Sequence, residues 1–238
     1  MSQQLVILSH TNITFPPPSH ALTDPDGLLA IGGDLSIDRL KAAYSNGIFP
    51  WFNDEEPILW WSPSQRGVIE LDDFHVSKST KKTYRKLRLE ASVNKAFSQV
   101  IEACRAQRLD KEGTWINPDM IAAYHLAHKA GIAHSLEIWL EGRLVGGLYG
   151  IMQNGVFCGE SMFYNITDAS KIAMWQLVLW LKRHNAHFID CQLLNPYLAT
   201  LGAKSISREE FLTKLNTARN YNVPNTMWQP QSLGEIYE

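Results

Sequence analysis

Residues 135–163 have the sequence SLEIWLEGRLVGGLYGIMQNGVFCGESMF. Apolar and polar residues alternate over 135–140, Glu141-Gly142 forms a two-residue turn, and a second apolar run covers 143–152. Asn154-Gly155 is the strongest short signal for a β-hairpin, and a third strand follows it. The stretch therefore predicts a three-stranded antiparallel meander.

The segments around the meander complete an α+β pattern. A strand is predicted before it over residues 66–71, and helices over 78–88, 92–109 and 118–130. After it come a long apolar helix over 170–184, a strand over 187–192, and helices over 197–201 and 207–219, the last opened by a capping box. Antiparallel strands, a long helix, a strand and a helix are the order of a GNAT-like acyltransferase domain. Fold analogy alone does not establish chemistry.

The first 65 residues differ from the rest in composition. They are rich in loops and aromatic residues and hold seven acidic residues against two basic ones, whereas the whole chain of 238 residues has a formal charge of −2. We expect a small N-terminal domain over residues 1–65 and a GNAT-like catalytic domain over 66–238. Three cysteines without a CxxC pair, no secretory leader and no long apolar run favour a cytoplasmic protein.

The strand over 187–192 carries two polar residues in an apolar setting. Residues two apart on a strand share a face, so we expect Asp190 and Gln192 to point together and Cys191 to point away. Buried polar groups are costly unless they are paired or used. The pair is therefore a candidate catalytic site, and Cys191, with no positive partner nearby in sequence, is not a candidate nucleophile.

Glu160 is a second carboxylate in an apolar strand. It would share a cavity with Asp190 if their strands are neighbours, and the alternative is a structural carboxylate satisfied by hydrogen bonds. Its neighbour Ser161 is not a nucleophile candidate, because residues 159–163 lack the last glycine of Gly-x-Ser-x-Gly and lie in a strand.

Residues 78–88 carry six basic residues and no acid: Lys78, Lys81, Lys82, Arg85, Lys86 and Arg88. On a helix, four of them fall on one stripe. The run is either a solvated helix face or a patch that contacts phosphates without reading sequence.

The sequence lacks the motifs that would bind coenzyme A or a metal ion. A GNAT acetyltransferase would open its long helix with a glycine-containing loop for the pyrophosphate of coenzyme A, and residues 167–171 contain no glycine. His125 and His128 have no HExxH pattern or cysteine partner, so a metal site is not expected.

Short blocks along most of the chain resemble the bacterial leucyl/phenylalanyl-tRNA–protein transferase family. The blocks are residues 27–36, 47–52, 57–63, 114–116, 133–137, 144–150, 159–163, 169–171 and 189–192. One departure is Tyr197, where the family usually has a histidine.

The resemblance implies an enzyme that transfers Leu or Phe, and Met less well, from aminoacyl-tRNA to the α-amino group of proteins with N-terminal Arg or Lys. The product is an N-degron read by the N-end rule pathway for protein degradation. It also implies a small N-terminal domain on a GNAT-like domain, a monomer, and no metal or organic cofactor.

The resemblance, together with the residue patterns, assigns expected roles. Asp190 accepts a proton or orients Gln192, Gln192 touches the amine or the ester carbonyl, and Glu160 anchors an amino group. An apolar pocket would hold the aminoacyl side chain, with core packing as the alternative for each of Met162, Leu148, Ile189, Leu177 and Leu181. Trp51 and Trp115 would stack the terminal adenosine, and the basic run would contact the acceptor stem. The competing functions are acetyl transfer from acetyl-CoA and an RNA-binding module without catalysis.

Overall fold

The predicted meander forms the centre of an eight-stranded sheet in the computed structural model, which describes residues 5–109, 114–224 and 226–234. Its strands are β7 (Ala133–Leu140), β8 (Arg143–Gln153) and β9 (Val156–Tyr164). Glu141 and Gly142 both have positive φ, 50° and 74°, as a tight hairpin turn requires. Leu148 pairs with Leu136 on one side and Met162 on the other.

The remaining strands of this sheet are β5 (Gln65–Glu70), β6 (Glu90–Val93), β10 (Phe188–Gln192), β11 (Lys204–Ser207) and β12 (Gln231–Ser232). The order across the sheet is β11-β5-β10-β9-β8-β7-β6-β12. β10 runs parallel to β9 and antiparallel to β5, so the sheet is mixed. Asp190 and Cys158 are the last parallel pair between β10 and β9. The α+β class is confirmed.

Most of the predicted helices are confirmed within a few residues. They are α2 (Lys78–Leu87), α3 (Phe97–Leu109), α4 (Pro118–Lys129), α5 (Ala169–Arg183), α6 (Pro196–Thr200) and α7 (Arg208–Thr217). Ser207 caps α7 by accepting a hydrogen bond from the Glu210 amide, as the capping box predicts. The predicted start of the helix at residue 92 is wrong. Residues 92 and 93 belong to β6, because Val93 pairs with Leu136 in the sheet.

A four-stranded sheet lies in the N-terminal part of the described chain. Its strands are β1 (Val6–Leu8), β2 (Leu28–Gly32), β3 (Phe49–Pro50) and β4 (Leu59–Trp61), and α1 (Ile37–Ser45) precedes β3. Gly27 has a φ of 87°, and a side chain there would meet the Pro63 backbone at 2.4 Å. The division into domains over residues 1–65 and 66–238 stays a prediction.

Two apolar layers cover the two faces of the larger sheet. One contains α5, whose buried residues include Ile172, Leu177 and Leu181. The other combines residues of α1, α3, α4 and α7 with the smaller sheet, so one continuous core joins Leu40 and Trp60 to Phe188. In the part of the chain that the structure describes, no helix is long and apolar enough to cross a membrane.

Candidate active site

A cavity of about 810 Å³ lies beside the ends of β9 and β10. It begins where the parallel pairing of these strands ends. Its lining comes from β3, the last turn of α3, β8, β9, β10, the first half of α5 and the start of α6, together with loop residues that include Trp51 and Trp115. Residues from both sheets therefore surround one space of the size that small-molecule sites usually have.

Asp190 lies beneath this cavity and does not line it. Its side chain is 1% exposed and forms a two-pronged ion pair with Arg66 of β5, with Nε–Oδ1 at 2.8 Å and Nη2–Oδ2 at 2.7 Å. The third arm of the guanidinium donates to the Gly47 carbonyl at 3.1 Å. Arg66 also lies between the rings of Phe49 and Phe211. Both oxygens of Asp190 are thus committed to a buried partner.

The expectation that Asp190 and Gln192 share a face is wrong. The pairing of β10 with β5 shifts register between them, and Gln192 has a left-handed φ of 63°. This bulge turns Gln192 into the cavity beside Ile189 and Cys191, the residue expected to point away. The backbone N–H of Gln192 donates to Asp190 Oδ1 at 2.9 Å, so the carboxylate holds the bulge in place.

Glu160 lines the cavity and is 7% exposed. β9 shifts register opposite Tyr149 and Gly150, which places Glu160 at an irregular position of the strand. Its Oε1 accepts hydrogen bonds from the Tyr44 hydroxyl at 2.6 Å and from Gln192 Nε2 at 2.9 Å. The structure therefore brings Glu160 and Gln192 together across the gap between β9 and β10.

The surroundings of Glu160 change its acidity. Burial raises the pKa of Glu160 to about 7, although the hydroxyls of Tyr44 and Tyr124 oppose this rise. Tyr124 Oη lies 2.5 Å from Tyr44 Oη, and Tyr44 donates to Glu160, so the two hydroxyls and the carboxyl group form one buried hydrogen-bonded cluster. The result is a carboxyl group that can exchange a proton near neutral pH.

Three residues of this network, Tyr44, Tyr124 and Arg66, were not among the predicted site residues. Tyr44 comes from α1 and Tyr124 from α4, and no spacing in the sequence relates either of them to Glu160. Arg66 did leave a weak signal, because it directly precedes the apolar run Gly67-Val68-Ile69, and a cation that is buried there needs an acidic partner.

Four of the five residues predicted to form an aminoacyl pocket line one wall of the cavity. Leu148, Met162, Leu177 and Ile189 line the cavity, whereas Leu181 does not. Leu181 is fully buried in the apolar layer on the α5 side of the sheet. It lies one turn of α5 beyond Leu177, so the helix carries it past the end of the cavity.

The two tryptophans predicted to stack on the terminal adenosine lie at the same cavity. Trp51, which is 41% exposed, and Trp115 both line it, with their ring centroids 6.2 Å apart in an edge-to-face arrangement. The Trp61 ring supports Trp51 from 5.8 Å. Arg108 covers the Trp115 ring, with its guanidinium carbon 3.9 Å from the ring centroid. Trp51 therefore offers the more accessible face.

The basic run lies outside this cavity, on α2. Five of its six residues surround a separate shallow depression of about 420 Å³: Lys78, Lys81, Lys82, Arg85 and Lys86. Arg88 is the C-terminal cap of the helix, in the left-handed conformation, and does not line the depression. The Lys81 ammonium lies 5.5 Å from the ring centroid of Trp175, which connects the basic surface to the core helix α5.

The N-terminus of α5, which the sequence opens without a glycine loop for coenzyme A, also borders the active-site cavity. Lys171 forms an ion pair with Asp168 at 3.0 Å. Tyr197, the residue that departs from the family pattern, lies within 3.0 Å of the Ser170 hydroxyl. Within the described ranges no three His, Cys, Asp or Glu side chains are grouped as a metal site would need.

Comparisons with known proteins show which family the chain is similar to. Residues 68–216 match the profile of the family described as leucyl/phenylalanyl-tRNA protein transferase, and residues 33–64 match that of its N-terminal domain. A protein named leucyl/phenylalanyl-tRNA–protein transferase from Pseudoalteromonas translucida is 64% identical over the full length of both chains. One from Pseudoalteromonas atlantica is 53% identical over 93% of this chain and 95% of its own. Among solved structures, FemX has a TM-score of 0.43 and 9% identity over 71% of this chain and 66% of its own.

Proposed function

The chain belongs to the leucyl/phenylalanyl-tRNA–protein transferase family, and we propose that it acts on proteins with N-terminal Arg or Lys. As a member, it is an aminoacyltransferase that uses aminoacyl-tRNA. The proposed reaction moves Leu or Phe, and Met less well, to the α-amino group of those proteins. The observation that carries the proposal is the cavity, where an apolar wall lies beside Glu160 and Gln192.

The apolar wall suits the side chain of the donor. Leu148, Met162, Leu177 and Ile189 contribute only hydrocarbon and one thioether to it. Such a surface favours Leu, Phe and Met over polar amino acids through burial of apolar area. Met162 is the most exposed of these four side chains. It can adapt its shape to the donor, because its side chain is unbranched.

The chemistry needs no covalent enzyme intermediate, because the aminoacyl ester is already activated. The amine nitrogen attacks the ester carbonyl carbon, a C–N bond forms, and the bond to the ribose 3′ oxygen breaks. Glu160 takes one proton from the incoming ammonium, and the leaving 3′ oxygen takes the second. An α-ammonium has a pKa of about 7.7–8.0, and an acceptor with a pKa of about 7 is well matched to it.

Gln192 and Asp190 take supporting roles in this proposal. The side-chain amide of Gln192 donates to Glu160, and in the proposed reaction it would touch the amine or the ester carbonyl. Asp190 would orient Gln192 rather than accept the proton, because its oxygens are occupied by the ion pair with Arg66 and by the backbone N–H of Gln192. Of the two carboxylates, Glu160 is the one that lines the cavity.

The tRNA would meet two separate surfaces. Trp51 and Trp115 border the cavity and suit the terminal adenosine, at about 1–3 kcal/mol per stacked base. The cations of α2 suit the acceptor stem, since Lys and Arg supply electrostatic attraction that does not depend on sequence. A product with Leu or Phe at its N-terminus would be an N-degron for protein degradation.

The test incubates the protein with Phe-tRNA and two peptides that differ only in beginning with Arg or Gly. We expect one Phe to be added to the Arg peptide and none to the Gly peptide. Transfer to neither peptide would contradict the proposal. Acetyl transfer from acetyl-CoA without RNA would favour an acetyltransferase instead. Transfer that survives Gln192→Ala and Glu160→Gln unchanged would contradict the assigned roles.

A further inference from the structure

Arg108 is a cation in the wall of the active-site cavity that the reaction scheme does not use. It lies in the last turn of α3, and its Nε donates to the buried Ser161 hydroxyl at 3.0 Å. Its guanidinium stacks on Trp115, with 3.9 Å from Cζ to the ring centroid. These two contacts fix the plane of the guanidinium, and neither of its Nη groups donates a hydrogen bond to a residue that the structure describes.

Arg108 has no acidic partner among the described residues. No carboxylate oxygen of those residues lies within ion-pair distance, and burial lowers the pKa of Arg108. By contrast Lys171, the other cation of the lining, is paired with Asp168. A half-buried guanidinium without a counter-charge is costly unless an anion binds it.

The charges of the reactants limit what that anion is. The acceptor brings an ammonium group and a cationic first side chain, and the aminoacyl-adenosine end of the donor carries no anionic group in its ester, ribose or base. The nearest negative charge on the donor is the phosphodiester that joins the terminal adenosine to the preceding nucleotide. The two Nη groups of a guanidinium match two phosphate oxygens in spacing and in charge.

We infer that Arg108 binds this terminal phosphodiester of the aminoacyl-tRNA, beside the aromatic residues that border the cavity. The inference rests on the proposed function. It makes Arg108 a binding residue that positions the ester, separate from the basic surface of α2, which lines a different depression. Because Arg108 occupies one face of Trp115, Trp51 offers the more accessible ring to the nucleobase.

The test compares two small donors that differ only in the phosphodiester: the 3′-phenylalanyl ester of adenosine and that of adenosine 5′-(methyl phosphate). Transfer to an Arg-initiated peptide is measured for the wild-type protein and for Arg108→Gln, Arg108→Lys and Lys171→Gln. For the wild type, we expect kcat/KM to be about tenfold or more higher with the phosphodiester, as for a hydrogen bond between charged groups. The same ratio should fall toward one in Arg108→Gln, recover partly in Arg108→Lys, and persist in Lys171→Gln.

Three results would overturn the inference. One is a wild-type ratio that Arg108→Gln leaves unchanged, and another is a ratio lost in Lys171→Gln but kept in Arg108→Gln. The third is an equal loss on both donors, which would assign Arg108 to the reacting carbonyl or to support of Trp115. Absence of transfer from both donors and from Phe-tRNA would overturn the proposed function as well, so the two failures are distinguishable.

Discussion

Replacing Glu160 with Gln should separate activity from stability in one variant. The change removes the proton acceptor while keeping a side chain of the same shape and an oxygen that can accept from Tyr44. General base catalysis contributes about 10²- to 10⁴-fold, so transfer of Phe should fall by that order. The free energy of unfolding of the variant, relative to that of the wild type, should instead increase as the pH rises.

The magnitude of the stability effect follows from the shifted pKa. Burial raises the pKa of Glu160 from 4.5 to about 7 in the folded protein. The folded state therefore binds this proton more tightly than the unfolded state, and the stability of the wild type falls as the pH rises from 4.5 through 7. A shift of this size corresponds to about 2–3 kcal/mol between pH 5 and pH 8. Glu160 is only 7% exposed, so solvent screening reduces this free energy little.

Urea unfolding of the wild type and Glu160→Gln at pH 5 and pH 8 measures this effect. The free energy of unfolding of the variant, relative to the wild type, should rise by about 2–3 kcal/mol from pH 5 to pH 8. Glu102→Gln, at an exposed position on α3, is the matched control and should show no such change. A relative stability of Glu160→Gln that does not depend on pH, or transfer close to the wild-type rate, would refute the reasoning.

Three further variants test other parts of the site. Asp190→Asn leaves Arg66 buried without a counter-charge, so urea unfolding should show a loss of about 3–5 kcal/mol, and wild-type stability would contradict the orienting role. Met162→Ala should lower kcat/KM for Leu-tRNA and Phe-tRNA by about tenfold or more, while unchanged values would remove Met162 from the pocket. Charge reversal by Lys82→Glu with Arg85→Glu should raise the KM for aminoacyl-tRNA and weaken its salt dependence, while an unchanged KM would make α2 a solvated face.

The fold was predictable where local patterns act alone. Alternation and the turn residues at 141–142 and 154–155 determine the meander, and the capping residue Ser207 determines the start of α7. β6 was missed because its four residues, Glu-Ala-Ser-Val, are too short a run to distinguish a strand from the start of a helix. Only pairing with β7, about 45 residues away in sequence, decides for a strand.

The candidate site was predictable in its residues but not in their directions. Glu160 and Gln192 stood out as polar residues in apolar strands, yet a bulge in each strand decides what they face. Strand alternation cannot anticipate a bulge, so Asp190 was expected in the cavity and lies beneath it. Its partner Arg66 is 124 positions away in sequence, and no local pattern indicates that distance.

The most direct test of the account is the pH dependence of kcat/KM for transfer of Phe to an Arg-initiated peptide, compared between the wild type and Tyr44→Phe. If Glu160 takes the proton, kcat/KM of the wild type should fall as the pH drops through about 7. The Tyr44 hydroxyl lowers the pKa of Glu160, and its removal should move this fall to higher pH. The ammonium of the peptide is the same in both reactions and cannot produce the difference. Identical pH profiles for the two proteins would contradict the claim that Glu160 takes the proton.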